Sequence, residues 1–455
     1  MPSPPPGGTL LEGLRRAVGD SHVLTAPADR AGYETDWTRR FSGEALAVVR
    51  PADAVEVQAV VALCAAHRTP VVPQGGNTGL VGGGVPRGGE VLLSLRRLDH
   101  IGEVDVDTPS VVVGAGATLA AVEGAVARAG LSVGVDLAAR DSATIGGMVA
   151  TNAGGVHVVA NGTMRQRVLG LEAVTADGHV IRRLPGLVKD NTGYDWPRLL
   201  AGSEGTLAVI TAVALHLVDR PRRRTVVLVG CTGPDDALAV TAAARRLGGL
   251  HAAEVMQARG VALVGRVVGL PPPLPDDPPW LVLLELLGDL DDEALAAVIG
   301  ERPGTVSLDD ADARRLWRYR ESHTEAIATL GVATKMDCTI PPARLGAVAA
   351  QLADVVPDAI LFGHLAEGTI HVNVVDAAPE VEGQVLGAVA DVGGSIASEH
   401  GVGIAKAPHL GLTRSAAEIA VMTAIKQALD PDGILNPGVI LTPGTMRPTG
   451  PARRR

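Results

Sequence analysis

The chain of 455 residues is poor in lysine and cysteine, and it lacks the short glycine motifs that most often hold nucleotides. Its 40 basic residues include only four lysines, Lys189, Lys335, Lys406 and Lys426, so each lysine stands out against an arginine background. Three cysteines, Cys64, Cys231 and Cys338, lie far apart and form no CxxC pair. That excludes a disulfide framework and a cysteine-type structural zinc site, and it suits a reducing cytoplasm. No G-x-x-x-x-G-K-[ST] and no G-x-G-x-x-G occurs, which removes the P-loop and the usual Rossmann fingerprint. The N-terminal MPSPPPGGTLLEGLRRAVGD has no apolar core of a signal peptide. The long uncharged run from Ser142 to Met164 is too rich in Gly, Asn and Thr for a membrane span. A net charge of -10 excludes nucleic acid as the main partner, because phosphates need a basic face. The small clusters Arg222–Arg224 and Arg453–Arg455 read as solvated surface charge.

What remains describes a globular protein. Hydrophobic residues make up 46% and charged residues 20%, and the length calls for two or more domains. Residues 1–8 and 443–455 read as loose ends. From Leu46 to Val72 a strand (ALAVV), a helix (AVEVQAVVALCAAHR) and a strand (PVVP) read as a βαβ unit. Strands follow at Val91–Leu95, Ser110–Val113 and Leu171–Thr175, with a helix Ala120–Ala129 closed by Gly130. Near Arg220–Arg224 the character changes. A strand (TVVLVGC), a helix (PDDALAVTAAARRLG), a strand (WLVLLELLG) and a helix (DDEALAAVIGE) predict a second, antiparallel α+β domain. The segment Gly269–Trp280 is a Pro-rich loop within it.

Glycine is concentrated in three places: PQGGNTGLVGGGVP (Pro73–Pro86), SATIGGMVATNAGG (Ser142–Gly155) and LLAGSEGTLAVIT (Leu199–Thr211). The first follows a strand directly, and its glycines suit positive φ angles and amides open to an anion. Three such loops in one domain can cradle an extended cofactor with a diphosphate. With KDNTGYDWPRLLAGSEG and the C-terminal LDPDGILNPG, these stretches resemble the FAD-binding signatures of the vanillyl-alcohol oxidase superfamily. The branch they resemble contains D-2-hydroxyglutarate dehydrogenase, D-lactate dehydrogenases and the glycolate oxidase D subunit.

The resemblance implies an α+β fold: a PCMH-type FAD-binding domain of two α/β subdomains, plus an α+β cap domain with an antiparallel sheet. The expected divisions are 1–25 for a tail and lead-in helix, 26–222 for the FAD domain and 223–412 for the cap. Residues 413–442 return to the FAD domain and 443–455 form a tail. FAD is expected on Pro73, Gly75, Gly76, Asn77, Thr78 and Gly79. Thr144, Gly146, Gly147, Asn152, Gly154 and Gly155 are expected opposite, with Glu204, Gly205, Val209 and Asn436. The first loop has no histidine, so the flavin is expected to be non-covalent.

A flavin that oxidises a 2-hydroxy acid needs a carboxylate clamp, a group polarising the hydroxyl and a base. In GHLAEGTIHVN (Gly363–Asn373) the alternation puts His371 and Asn373 on one face. If Glu367–Gly368 make a two-residue turn, His364 lies directly opposite His371. Spacing alone leaves two alternatives, a shared divalent ion or two polar histidines on a hairpin. The resemblance implies that His364, His371 and Glu399 ligate a metal, with zinc favoured and manganese or iron also compatible. It further implies His400 as the base, with Arg320, Thr324, Lys335, Asn373 and His400 at the substrate. The hairpin departs from the GHxGDGNxH of similar chains at Ala366, Glu367 and Thr369. The lysine segment departs at Thr334, Met336, Cys338 and Thr339.

The implied reaction is FAD- and metal-dependent oxidation of a D-2-hydroxy acid, with D-2-hydroxyglutarate or D-malate ahead of D-lactate or glycolate. The acceptor is an electron-transfer flavoprotein, a quinone or a cytochrome, and a homodimer is compatible. The alternatives are a metal-independent FAD-linked alcohol or sugar oxidase and a non-catalytic subunit of a glycolate-oxidase-like complex.

Overall fold

A computed structural model describes residues 9–221 and 223–442. The two expected loose ends, the cluster Arg453–Arg455 and Arg222 lie outside the described residues.

Helix Ala54–Ala66 starts where the Asp53 side chain accepts the Glu56 N–H, and it turns Val57, Val60, Val61 and Cys64 into the core. It packs on a four-stranded sheet ordered Val23–Leu24, Ala47–Val49, Val91–Ser94, Val71–Gln74. The predicted βαβ unit is present in parallel sense, but its two strands do not touch. Val91–Ser94 pairs in parallel with both and lies between them. All four of its residues are buried, and only a central position covers both faces of such a strand.

The rest of the first half is a five-stranded antiparallel sheet, ordered Ile101–Asp105, Ser110–Gly114, Ala208–His216, Val168–Thr175, Val180–Arg182. On it sits the short helix Ile145–Thr151, which ends at Asn152 in left-handed conformation (φ 52°).

The cap is a mixed helix-and-sheet layer around one seven-stranded antiparallel sheet. Its order is Gly304–Val306, Arg224–Cys231, Trp280–Leu287, Leu250–Gln257, Ile360–His364, Thr369–Val375, Ala333–Thr339. Strand Leu250–Gln257 and helix Ala258–Val268 were not expected from sequence. In LHAAEVMQ small alanines and a buried Glu254 blur the apolar pattern, although six of the eight residues are fully covered. The stretch around Arg320 forms two helices, Asp310–Glu321 and His323–Ala328, joined at Ser322.

The final helix, Ala416–Leu429, returns the chain to the first half. Lys426 Nζ donates to Thr206 O at 2.7 Å and Leu435 O at 2.8 Å and pairs with Asp430, while Leu435 bridges Val71. Among the described residues, no helix is long and apolar enough to cross a membrane. Where the halves meet they enclose a cavity of about 680 Å³.

Candidate active site

The cavity brings the glycine loops and the cap candidates onto one surface. Every residue expected to hold the flavin lines it except Asn152 and Asn436. Asn152 turns its Oδ1 to the Arg165 N–H, 2.9 Å away. Asn436 lies behind the wall, its Nδ2 donating to Gly83 O and Glu204 O, both at 2.8 Å, so it splices two glycine loops together. Glu204 (φ 51°) spends its buried carboxylate on the Val402 and Gly403 amides at 2.7 and 2.8 Å. Burial pushes this carboxyl up to about 7 against those donors. It therefore couples the third glycine loop to the loop carrying Glu399 and His400.

The glycines themselves test whether a flavin fits. A Cβ on Gly75 would stand 2.2 Å from Thr144 Oγ1, and one on Gly76 1.9 Å from Ser142 O, so the first two loops meet only because both positions are glycine. Gly79 faces open space on the same wall. A cradle of closely stacked, side-chain-free backbone opening into one long cavity fits an extended cofactor.

His364 and His371 are brought together, though not as the two-residue turn requires. The register pairs Phe362 with His371, and residues 365–368 form a longer turn with Gly368 at φ 76°. His364 therefore sits diagonally from His371, on the same face. Their rings meet edge-on, with centroids 5.4 Å apart and planes at 84°. Glu399 Oε2 lies 3.2 Å from His364 Nε2 and 3.8 Å from His371 Nε2. Glu254, missed by sequence reading, takes His364 Nδ1 at 2.7 Å and so leaves Nε2 aimed at Glu399. Burial opposes a charge on His364, yet Glu254 and Glu399 outweigh it and push it up to about 10. With Glu254 behind the ring and Glu399 in front of it, the point between Nε2 and Glu399 favours a cation. Two convergent imidazoles and one carboxylate, with a carboxylate behind one ring, fit a divalent ion with an open position.

His400 stacks against His371, with centroids 5.3 Å apart. Its Nδ1 lies 3.1 Å from Asp337 Oδ1. Fully buried Asp337 also takes the amides of Ser398, Glu399 and His400 on Oδ2 at 2.9, 2.6 and 2.9 Å, and its other oxygen pairs with buried Lys406. Burial alone would raise the Asp337 carboxyl; His400, Lys406 and the amides hold it well below the usual range. Asp337 and Lys406 were also missed, and the rarity of lysine was their one signal.

Of the substrate candidates, Arg320, Thr324, Lys335 and Asn373 all line the cavity. Arg320 Nε pairs with Glu254 at 2.5 Å and its guanidinium lies over Phe362. Asn373 gives its Nδ2 to Ile360 O at 3.2 Å. Lys335 has no hydrogen-bond partner on Nζ, and burial lowers it to about 8.

A second trio of the same composition, His157, His251 and Glu285, spans the seam elsewhere. Its rings stack at 4.0 Å with 27° between planes. Glu285 Oε1 takes His251 Nδ1 at 2.8 Å, and Oε2 takes the Trp317 indole N–H at 2.8 Å.

A flavin cradle facing a cluster of imidazoles and carboxylates across one cavity defines the class: an FAD-linked oxidoreductase with the PCMH-type fold. Two family models match, an FAD binding domain over residues 45–183 and the C-terminal domain of FAD linked oxidases over 220–440. The fold resembles p-cresol methylhydroxylase (TM-score 0.77, 16% identity, 95% of this chain and 96% of that one). It also resembles 4-ethylphenol oxidase from Gulosibacter chungangensis (TM-score 0.75, 19% identity, 96% and 98%). Within that class the chain belongs to the family of D-2-hydroxyglutarate and D-lactate dehydrogenases. It is 39% identical to D-2-hydroxyglutarate dehydrogenase of Xanthomonas citri pv. viticola over 93% of this chain and 95% of that one. It is 36% identical to the mitochondrial enzyme of Bos taurus (94% and 82%), and 31% identical to a putative mitochondrial D-lactate dehydrogenase of Schizosaccharomyces pombe (94% and 87%).

Proposed function

We propose that this chain oxidises a D-2-hydroxy acid, D-2-hydroxyglutarate or D-malate before D-lactate or glycolate, to the 2-oxo acid, with FAD and a divalent metal ion. The observation that carries the reading is the placement of His400 beside the His364–His371–Glu399 trio, inside the cavity that the glycine loops share. When bound, FAD supplies the acceptor for the hydride from C2. His364, His371 and Glu399 would hold a divalent ion, which would supply Lewis-acid polarisation of the substrate hydroxyl.

The protein's own residues do the rest. His400 accepts the hydroxyl proton, and the carboxylate of Asp337, 3.1 Å from its Nδ1, stabilises the imidazolium that forms. Lys406 keeps that buried carboxylate charged. Arg320, its Nε fixed on Glu254, offers positive charge to the carboxylate beside the hydroxyl, Lys335 offers it to a second carboxylate where the acid carries one, and Thr324 and Asn373 complete the wall. Glu204 ties the loop of the base to a loop of the flavin cradle, so proton acceptor and hydride acceptor are positioned together. Three buried, free cysteines support a reducing, cytoplasmic setting.

A screen of D- and L-2-hydroxy acids with an artificial dye acceptor, before and after dialysis against a chelator, tests this. Turnover of D-acids that is lost on chelation and restored by metal is expected. Preference for L-acids, or turnover indifferent to the chelator, would remove the stereochemical or the metal part respectively.

A further inference from the structure

Residues 35–42 form a short strap from the FAD-binding half to the cap. Thr35 and Ser42 pair as an isolated antiparallel bridge at its base. Within it, buried Asp36 takes the Phe41 N–H on one carboxylate oxygen at 3.1 Å and the Thr38 hydroxyl on the other. Asn77 of the first glycine loop donates from Nδ2 to Thr35 O at 2.9 Å, tying the base to the flavin cradle. The far end is tied to the cap by Arg40, whose Nη2 lies 2.9 Å from Glu382 Oε2 on helix Pro379–Asp391.

Between these ties Trp37 lays its ring over Lys335, with Nζ 4.4 Å from the ring centroid. Trp37 is 50% exposed, so one face is dry and the other wet, whereas Lys335 is only 7% exposed. Both line the seam cavity. A buried ammonium without a hydrogen-bond partner is unfavourable, and the face of an indole compensates it in part. Neither the glycine loops nor the metal trio accounts for the placement of this tryptophan.

We propose that Trp37 is a specificity-determining residue: it keeps water off the Lys335 ammonium, so that a 2-hydroxy acid bearing a second carboxylate is favoured over one without. This rests on the 2-hydroxy-acid reading above. In a dry site, a carboxylate reaching Nζ gains a charge–charge attraction that water would otherwise screen. An acid that lacks the second carboxylate leaves the ammonium buried and unpaired, which counts against it. Without the indole, water solvates the ammonium whichever acid is bound, and both the gain and the penalty shrink. The strap thus converts one lysine into a measure of substrate charge, and the Arg40–Glu382 pair holds the measuring ring in place.

The test compares kcat/KM for D-2-hydroxyglutarate and D-lactate in the flavin-loaded enzyme, in Trp37→Ala and in Trp37→Phe. The unaltered enzyme favours the dicarboxylate. Trp37→Ala lowers that preference about tenfold, the scale of a desolvated cation–π contact, chiefly through a higher KM for the dicarboxylate and with FAD content unchanged. Trp37→Phe, which restores a ring face, recovers most of the preference. A ratio unmoved by Trp37→Ala, a loss that falls equally on both acids, or an unaltered enzyme that prefers D-lactate overturns the proposal. Where the unaltered enzyme turns over neither acid, the 2-hydroxy-acid reading is what fails. The strap is then judged by binding of glutarate against butyrate, followed through the visible band of the flavin. The same fall in the ratio of Kd values on Trp37→Ala upholds it, and an unchanged ratio overturns it.

Discussion

Two trios among the described residues have the same composition, two histidines and a glutamate, and both bring three ligand atoms together, but only one of them lines the cavity beside His400. An imidazole lone pair lies in the plane of its ring, so two rings sharing one ion must aim their planes at a common point. His364 and His371 stand at 84° to one another and converge on Glu399. His157 and His251 stack at 27°, and both reach one oxygen, Glu285 Oε1, from Nε2 at 3.4 Å and from Nδ1 at 2.8 Å. The outer partners differ as well. Glu254 occupies Nδ1 of His364 and leaves the inner nitrogen facing the cavity, which is how a ligand histidine is prepared. Glu285 is itself consumed, by His251, by the Trp317 indole and by Arg224 at 3.6 Å. The second trio is a hydrogen-bonded tie between halves, because His157 belongs to the FAD-binding half and its partners to the cap. Burial raises the Glu285 carboxyl, but the two histidines outweigh it and hold it far below the usual range, as a tie of that kind requires. Composition nominates a site, and what surrounds it decides its use.

The comparison breaks most visibly if the wrong trio holds the metal. Glu399→Gln is expected to lower metal content per chain to near zero and turnover on the order of 10⁴-fold, whereas His251→Ala leaves metal content unchanged. Metal analysis of both purified variants checks this, and a loss of metal in His251→Ala would put the ion in the other trio.

His400→Ala sharpens the assignment of roles within the first trio's surroundings. It is expected to keep FAD, its yellow colour and the metal while losing roughly 10³-fold in turnover. Retained activity would remove His400 as the base.

A smaller effect comes from pH. Burial lowers Lys335 to about 8, so its charge is present at pH 7 and is lost as pH rises through that value. For the free enzyme, kcat/KM with a dicarboxylate should fall by up to about tenfold per pH unit above 8. Lys335→Arg, which stays charged, should flatten that limb; an unchanged alkaline limb in the variant would detach it from Lys335. The smallest effect belongs to the second trio. His251→Ala should cost about 1–3 kcal/mol of stability by leaving a buried carboxylate under-satisfied, visible as a lower melting temperature with little change in turnover per folded molecule.

Much of this was legible in the chain. The glycine clusters and the antiparallel cap were accessible from pattern, the sets His364, His371, Glu399, His400 and Arg320, Thr324, Lys335, Asn373 came from the family resemblance, and the cavity gathers them. The misses share a cause. Glu254 sits in a strand whose alanines mute the alternation, and Asp337 and Lys406 are far apart in sequence, so nothing local announces their pairing. The hairpin was misread by one detail of turn length, which moved His364 from opposite His371 to a diagonal position. Trp37, on a short loop near the N-terminal end, carries no local sign that it covers a lysine some 300 residues later.

What the sequence by itself determined was the inventory and the local backbone: which loops need glycine, which strands alternate and which side chains have chemistry to offer. Those features depend on neighbours a few residues away, through periodicity and φ preference. Only the tertiary structure decided which of two equal trios lines the shared cavity, which of four lysines lies there without a hydrogen-bond partner, and which tryptophan covers it. Those outcomes depend on direction and on exclusion of water, and both arise when distant segments pack against one another.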